Sequence, residues 1–147
     1  MAFTGSYLCD SFLLELLTGT HNFTNGTGDT FKMALYTSSA SLTNLTTAYS
    51  ATNEISGTGY SAGGAAMTTV TPAMNNGFAI ADFLDQTWAA SAFTARGALI
   101  YNSSKSNKAV AVLDFGAEKT SSVGNPTFTV QMPTADYLNA IVKIGRG

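Results

Sequence analysis

Few residues in this chain could do chemistry. His21 is the only histidine and Cys9 the only cysteine. Triad-type catalysis needs a histidine beside a nucleophile and an orienting acid. His21 stands just beyond a predicted helix, beside Gly19 and Asn22, where a polar residue in a helix-to-strand loop is the simpler role. Cys9 falls within that helix and reads as a small packed side chain rather than a reactive thiolate. Asp82 and Asp85 flank Phe83 and Leu84, and Asp114 lies between Leu113 and Phe115. Paired carboxylates can act as acid and base or hold a hard cation, but calcium takes about six to eight oxygens and no D-x-D-x-D-G loop is present. Period two puts Asp82 and Asp114 opposite Phe83 and Phe115, at solvated or interface-facing positions. Trp88, Phe93, Tyr101 and Tyr137 could form a sugar platform, although strand aromatics more often belong to a core or a subunit contact.

Gly57-Thr58-Gly59-Tyr60-Ser61-Ala62 matches the dinucleotide pattern G-x-G-x-x-G/A in letters. That motif works only between a buried strand and a helix N-terminus that faces the pyrophosphate. Here Asn53-Glu54-Ile55-Ser56 precedes it and Gly63-Gly64 follows, so a turn or β-bulge beside a strand is the better reading. No catalytic, cofactor-binding or metal-binding residue is assigned, and the chain is expected not to be an enzyme.

The elements that would position these residues are mostly strands. Tyr7 to Leu17 pairs Leu8 with Phe12, Phe12 with Leu16 and Leu13 with Leu17 at helical spacing, with Ser6 or Thr4 as cap and Gly19 as stop. This one short helix, in the region 1–20, carries an apolar stripe that must be covered by its own domain or by a neighbouring subunit; the first is simpler. From there the pattern turns to period two. Phe31 to Tyr36 puts Phe31, Met33 and Leu35 on one face and Lys32, Ala34 and Tyr36 on the other. Met67 to Ala73 and Phe78 to Phe83 flank Asn75-Asn76-Gly77, a tight-turn signal. Ala95 to Tyr101 and Ala109 to Phe115 make a second hairpin across the polar loop Asn102 to Lys108. Thr127 to Met132 is a further strand ended by Pro133, and Ala140 to Ile144 supplies the last.

Short strands separated by turns predict a mainly β fold, an antiparallel β-sandwich or jelly-roll-like barrel with one short N-terminal α-helix. A single domain is expected over 1–147, with the β-sandwich in 31–147, because neither a repeat nor a linker interrupts the chain. Thr37 to Gly64 reads as a long surface excursion, of the kind that is functional or ordered by a partner.

Composition speaks of assembly. Charged residues make up 11% of the chain and hydrophobic ones 45%, whereas a free soluble domain carries about 25% charged residues. A chain of this size can bury roughly 70% of its unfolded surface, so it needs no staples. With 147 residues and one cysteine, it can form no internal disulfide, and folding in a reducing cytosol follows. Lys32, Arg96, Lys105, Lys108, Lys119, Lys143 and Arg146 are scattered, and the net charge is -2, which argues against nucleic acid as a partner. Phe12 to Leu17 is too short for a membrane span and contains Glu15, and no basic region precedes it, so neither a membrane nor a signal peptide is expected. Asn-x-Ser/Thr triplets at Asn22, Asn25, Asn44 and Asn102 read as chance in so Asn-, Ser- and Thr-rich a chain.

Phe31-Lys32-Met33-Ala34-Leu35-Tyr36-Thr37-Ser38-Ser39, then Glu54 to Gly64, then Ala92-Phe93-Thr94-Ala95-Arg96-Gly97-Ala98-Leu99-Ile100-Tyr101 together resemble a family of small tailed-bacteriophage virion structural proteins. Ala109 to Gly116 and Phe128 to Val130 extend the resemblance over nearly the whole chain. It implies a non-enzymatic virion component made in the bacterial host cytoplasm. The post it suggests is a capsid decoration, or cement, protein on the capsid surface, partnered by the major capsid protein and by itself as a homotrimer. A tail-fibre or receptor-binding module and a head-completion or tail-terminator ring are the alternatives.

Overall fold

The spine of the computed structural model, which describes residues 3–146, is the long hairpin of β7 (Phe93–Asn102) and β8 (Lys108–Ser121). β2 (Phe31–Tyr36) pairs antiparallel with β7 along its full length, from Phe31 opposite Asn102 to Tyr36 opposite Gly97. Two-residue strands finish the edges, β1 (Tyr7–Leu8) on β8 and β3 (Ala65–Ala66) on β2, giving a five-stranded sheet in the order β1-β8-β7-β2-β3. Edges this short offer little template for stray pairing.

The first expected hairpin is present as β4 (Thr69–Asn75) and β5 (Phe78–Phe83), turning at Asn76 and Gly77 with φ of 46° and 86°. Positive φ at both turn residues matches the strands' own twist, which is why Asn-Gly serves here. β10 (Val142–Gly145) pairs with the other side of β5 to make a three-stranded sheet. β6 (Gln86–Trp88), unforeseen in the sequence, pairs with β9 (Phe128–Val130) as a separate two-stranded sheet. β9 is shorter than the expected Thr127 to Met132. The fold is therefore mainly β, antiparallel, with one short helix near the N-terminus, consistent with a β-sandwich.

Alternation along the five-stranded sheet explains its two covers. Phe31, paired with Asn102, lies on the face packed by Phe23 and Phe83, rings 4.5 and 5.4 Å away. Tyr36 and Tyr101 project from the opposite face, where Tyr101 stacks at 4.7 Å on Tyr49 of the excursion. Because both faces are covered, β2 is buried at every position but Lys32 rather than at alternate ones.

One expectation needs correction and another refinement. The helix, α1, runs over Asp10–Leu17 rather than from Tyr7, and neither Ser6 nor Thr4 caps it. Tyr7 and Leu8 are held in the sheet opposite Val112 and Ala111, and the Cys9 N–H extends that ladder to the Val110 carbonyl at 2.9 Å. Sheet pairing thus takes the residues that helical spacing had claimed. Gly19 does end the helix, at φ 69° with its N–H on the Leu16 carbonyl. The refinement concerns 37–64, which is mostly exposed and without regular strands, as an excursion should be, but is laid over the second face of the sheet rather than standing free. Ala40 and Ile55 are buried there, and the Ile55 N–H reaches the Leu35 carbonyl at 3.0 Å.

Candidate functional site

Irregular backbone laid against a sheet leaves polar groups that only side chains can satisfy. In 37–64 that task falls to Glu54, the single charged residue of the segment. Its Oε2 accepts the Tyr49 hydroxyl at 2.7 Å, and its Oε1 accepts the Tyr60 hydroxyl at 2.6 Å and the Gly63 N–H at 2.7 Å. The Tyr60 oxygen in turn accepts the Leu35 N–H, and the Tyr101 hydroxyl donates to the Gly63 carbonyl. Burial, reinforced by Glu54, pushes the Tyr36, Tyr49 and Tyr60 hydroxyls well above the usual tyrosine range. Glu54, the one acid of 37–64, set between Tyr49 and Tyr60, is the signal for this clamp in the sequence, and it lies outside the paired-acid pattern.

On the other face, His21 is in the helix-to-strand loop, as expected, yet its side chain is fully out of solvent. It joins a polar chain. Lys108 Nζ donates to Glu15 Oε1 at 2.7 Å, and His21 Nε2 meets Glu15 Oε2 at 2.7 Å. Asn102 Nδ2 meets His21 Nδ1 at 2.9 Å and donates to Asp29 Oδ2 at 2.8 Å, while Asn102 Oδ1 accepts the Ser104 N–H. Those partners orient the amide and leave His21 Nδ1 as acceptor, so the ring carries its proton on Nε2. Burial pushes the Glu15 carboxyl up, but the bonds from Lys108 and His21 outweigh it and hold the group below the usual range. Asp29 is likewise lowered, its burial outweighed by the Asn22 N–H and the Asn102 amide. Both ring nitrogens of His21 are engaged by this chain's own side chains. The cluster anchors α1 and the loop before β2 to the β7–β8 turn.

The carboxylates singled out in sequence do not come together. Asp82 is fully buried, not solvated or interface-facing as period two suggested. Its Oδ1 accepts the Phe83 N–H, while Oδ2 has no partner among the described residues. Burial pushes this carboxyl above its ordinary value. Both faces of β5 are covered at this point, since Ile80, Ala81, Asp82 and Phe83 are all buried. Asp85 is exposed and accepts the Met132 N–H, and Asp114 is ion-paired with Arg96, whose hydrogen bond holds it below the usual range. Among the described residues no three His, Cys, Asp or Glu side chains gather as a metal-holding group.

The remaining candidates resolve as packing. Trp88 and Phe93 are buried with Phe128, Tyr101 is buried under Tyr49, and Tyr137 lies apart against Phe78. These four therefore form no common platform. Cys9 precedes α1 as its N-cap rather than sitting inside it, and burial pushes its thiol up to about 12. Gly57 to Ala62 is a turn with no helix after it, and a Cβ on Gly59, at φ 79°, would meet the Ala90 carbonyl at 2.9 Å. Glycine there permits two backbones to touch. Asn102, of the four Asn-x-Ser/Thr sites, is fully buried. No helix is long and apolar enough to cross a membrane among the described residues.

Of the large apolar side chains left exposed, which include Met74, Leu84, Val123, Leu138 and Ile144, one group lies on α1. Phe12 is buried and Leu16 half-buried, while Leu13, Leu14 and Leu17 are 46%, 65% and 85% exposed. Leu45, 71% exposed, stands near the start of the same helix, because Asn44 is bonded to Asp10 through both backbone and side chain. The two acids of the helix are already engaged, Asp10 by Asn44 and Glu15 by Lys108 and His21. The outcome is an apolar face whose nearby charges already have partners. No family model matches the chain, and neither a curated protein nor a solved structure does.

Proposed function

We propose that this chain is a non-enzymatic structural protein of a tailed-bacteriophage virion, a capsid decoration protein that bridges and stabilises major capsid protein subunits. The observation that carries the reading is the group of exposed leucines on α1, Leu13, Leu14 and Leu17, with Leu45 beside them. Burying the exposed part of these leucines against another protein is favourable, by roughly 1–2 kcal/mol each before the cost of association. The low charge of the chain and the family resemblance of its strands point the same way. Many copies on one shell add weak contacts through multivalency.

The receptor-binding alternative drew on the aromatic residues and the long 37–64 loop; Trp88, Phe93 and Tyr101 are buried, and the loop is bonded down onto the sheet through Glu54. A completion or terminator ring remains distinct from a decoration protein by copy number. Quantitative mass spectrometry of purified particles should find on the order of hundreds of copies per virion. A count of about a dozen or fewer would rule out a shell-wide role, and absence from particles would end the virion reading.

A further inference from the structure

β8 and β9 begin as a hairpin and then part. Their tip is closed by Ser122 and Asn125, whose N–H groups donate to each other's carbonyls at 3.1 and 2.9 Å. Beyond the tip β8 stays with β7, whereas β9 crosses to β6. Ser91 holds the arms apart, its N–H on the Pro126 carbonyl at 2.8 Å and its hydroxyl on Ser121. In the mouth of the V lies a groove of about 380 Å³, lined by Phe115 and Lys119 from one arm and by residues 127–131 from the other.

The lining shows that the groove runs along a strand edge. Phe128 and Val130 point inward and Thr127, Thr129 and Gln131 outward, yet all five line the same space. Only the edge of a strand presents residues from both of its faces. Among the described residues β9 has β6 on one side and no strand on the other, and β8 has lost β1 as a neighbour beyond Val112. The edges of the other two sheets are guarded, by two-residue length at β1 and β3, by Pro72 in β4 and by Lys143 in β10, and only β6, β9's own partner, shares its lack of a guard. β9 reads Phe-Thr-Val, without proline or charge. An unguarded edge beside an apolar floor is an acceptor for another strand.

Lys119 fixes the chemistry of the occupant. It is exposed at the groove, and among the described residues it takes part in no ion pair, whereas Arg96, Lys105 and Lys108 each face a carboxylate. We propose that the groove accepts an extended arm of a neighbouring protein in the assembly, adding a strand along β9, seating an apolar side chain against Phe115 and Phe128, and presenting a carboxylate to Lys119. This rests on the assembly reading above and names the surface and the partner segment it would use.

The test uses the full chain, labelled with ¹⁵N, and short blocked peptides of alternating Val and Thr with one central Glu. A Lys-centred version and a Glu version N-methylated on alternate backbone nitrogens serve as controls. The Glu peptide should shift the amides of residues 127–131 and slow their hydrogen exchange. It should bind roughly fivefold tighter than the Lys peptide, the scale of an exposed charge contact. Lys119→Glu should reverse that preference, and N-methylation should abolish binding by removing the strand's donors. No shift at about 1 mM peptide, or shifts indifferent to both Lys119→Glu and N-methylation, would overturn the groove. Copy number in particles is measured separately: particle association without peptide binding removes only the groove, and peptide binding without association removes only the virion role.

Discussion

The two faces of the five-stranded sheet are covered by different means. One is packed by regular elements, α1 and the β4–β5–β10 sheet, around a cluster of Phe12, Phe23, Phe31 and Phe83. The other is packed by the irregular 37–64 segment, drawn down by Glu54 and its tyrosines. Regular elements satisfy their own backbone and need only apolar contact with the sheet. An irregular cover has free backbone groups, so hydrogen bonds from named side chains must replace the ladder. The first face should therefore be most sensitive to lost volume and the second to lost polar atoms.

The largest effect should come from Phe31→Ala. Phe31 is wholly buried between Phe23 and Phe83, and such a truncation costs about 3–5 kcal/mol, a large share of a domain's roughly 5–15 kcal/mol. A urea titration should show the midpoint fall accordingly. A cost under about 1 kcal/mol would mean the aromatic face is not the main store of stability.

Glu54→Ala should come next. It strands two tyrosine hydroxyls and the Gly63 N–H, at about 2–3 kcal/mol. Its signature is regional, since amide exchange should quicken in 37–64 while the amides of β4 and β5 change little. Uniform quickening would break the comparison, because the two covers would then open as one unit.

Legibility in the sequence followed the same division. Phe31 to Tyr36 and both hairpins announced themselves through period two and turn residues, because a ladder imposes that period on whatever it pairs. Tyr7 and Leu8 misled because Leu8 has helical spacing to Phe12, and only β8, about a hundred residues away in sequence, decides for the sheet. Asp82 misled for a related reason: alternation identifies a second face but not whether something lies over it. The His21 cluster joins Glu15, Asp29, Asn102 and Lys108 from four separate stretches, so no local pattern could have assembled it. Glu54 was visible as a lone charge, but its purpose depended on Tyr49 and Tyr60 curling back to it.

The smallest predicted effect divides the two covers by pH. Glu15 and Asp29 are held below their ordinary carboxyl values. Their contribution is therefore complete above the unfolded carboxylate range and is lost as pH falls through it toward the lower folded values. Asp82 works in the opposite sense. Its raised value means that it weakens the fold once ionised, and acid relieves this, so the Asp82→Asn background should expose a steeper acid limb. Tyr36, Tyr49 and Tyr60 are raised above an ordinary value of 10.0. Their contribution is present below that pH and is lost as pH climbs past it. Urea midpoints measured across pH should fall at both ends, by about 1 kcal/mol for each partly exposed group. Glu15→Gln should flatten the acid limb alone, because Lys108 and His21 would then face a neutral amide at every pH. Tyr49→Phe should flatten the alkaline limb alone, because the hydroxyl that must stay protonated against Glu54 is gone. If either substitution flattened both limbs, the charges would be acting through the whole molecule rather than through the cover in which each is buried.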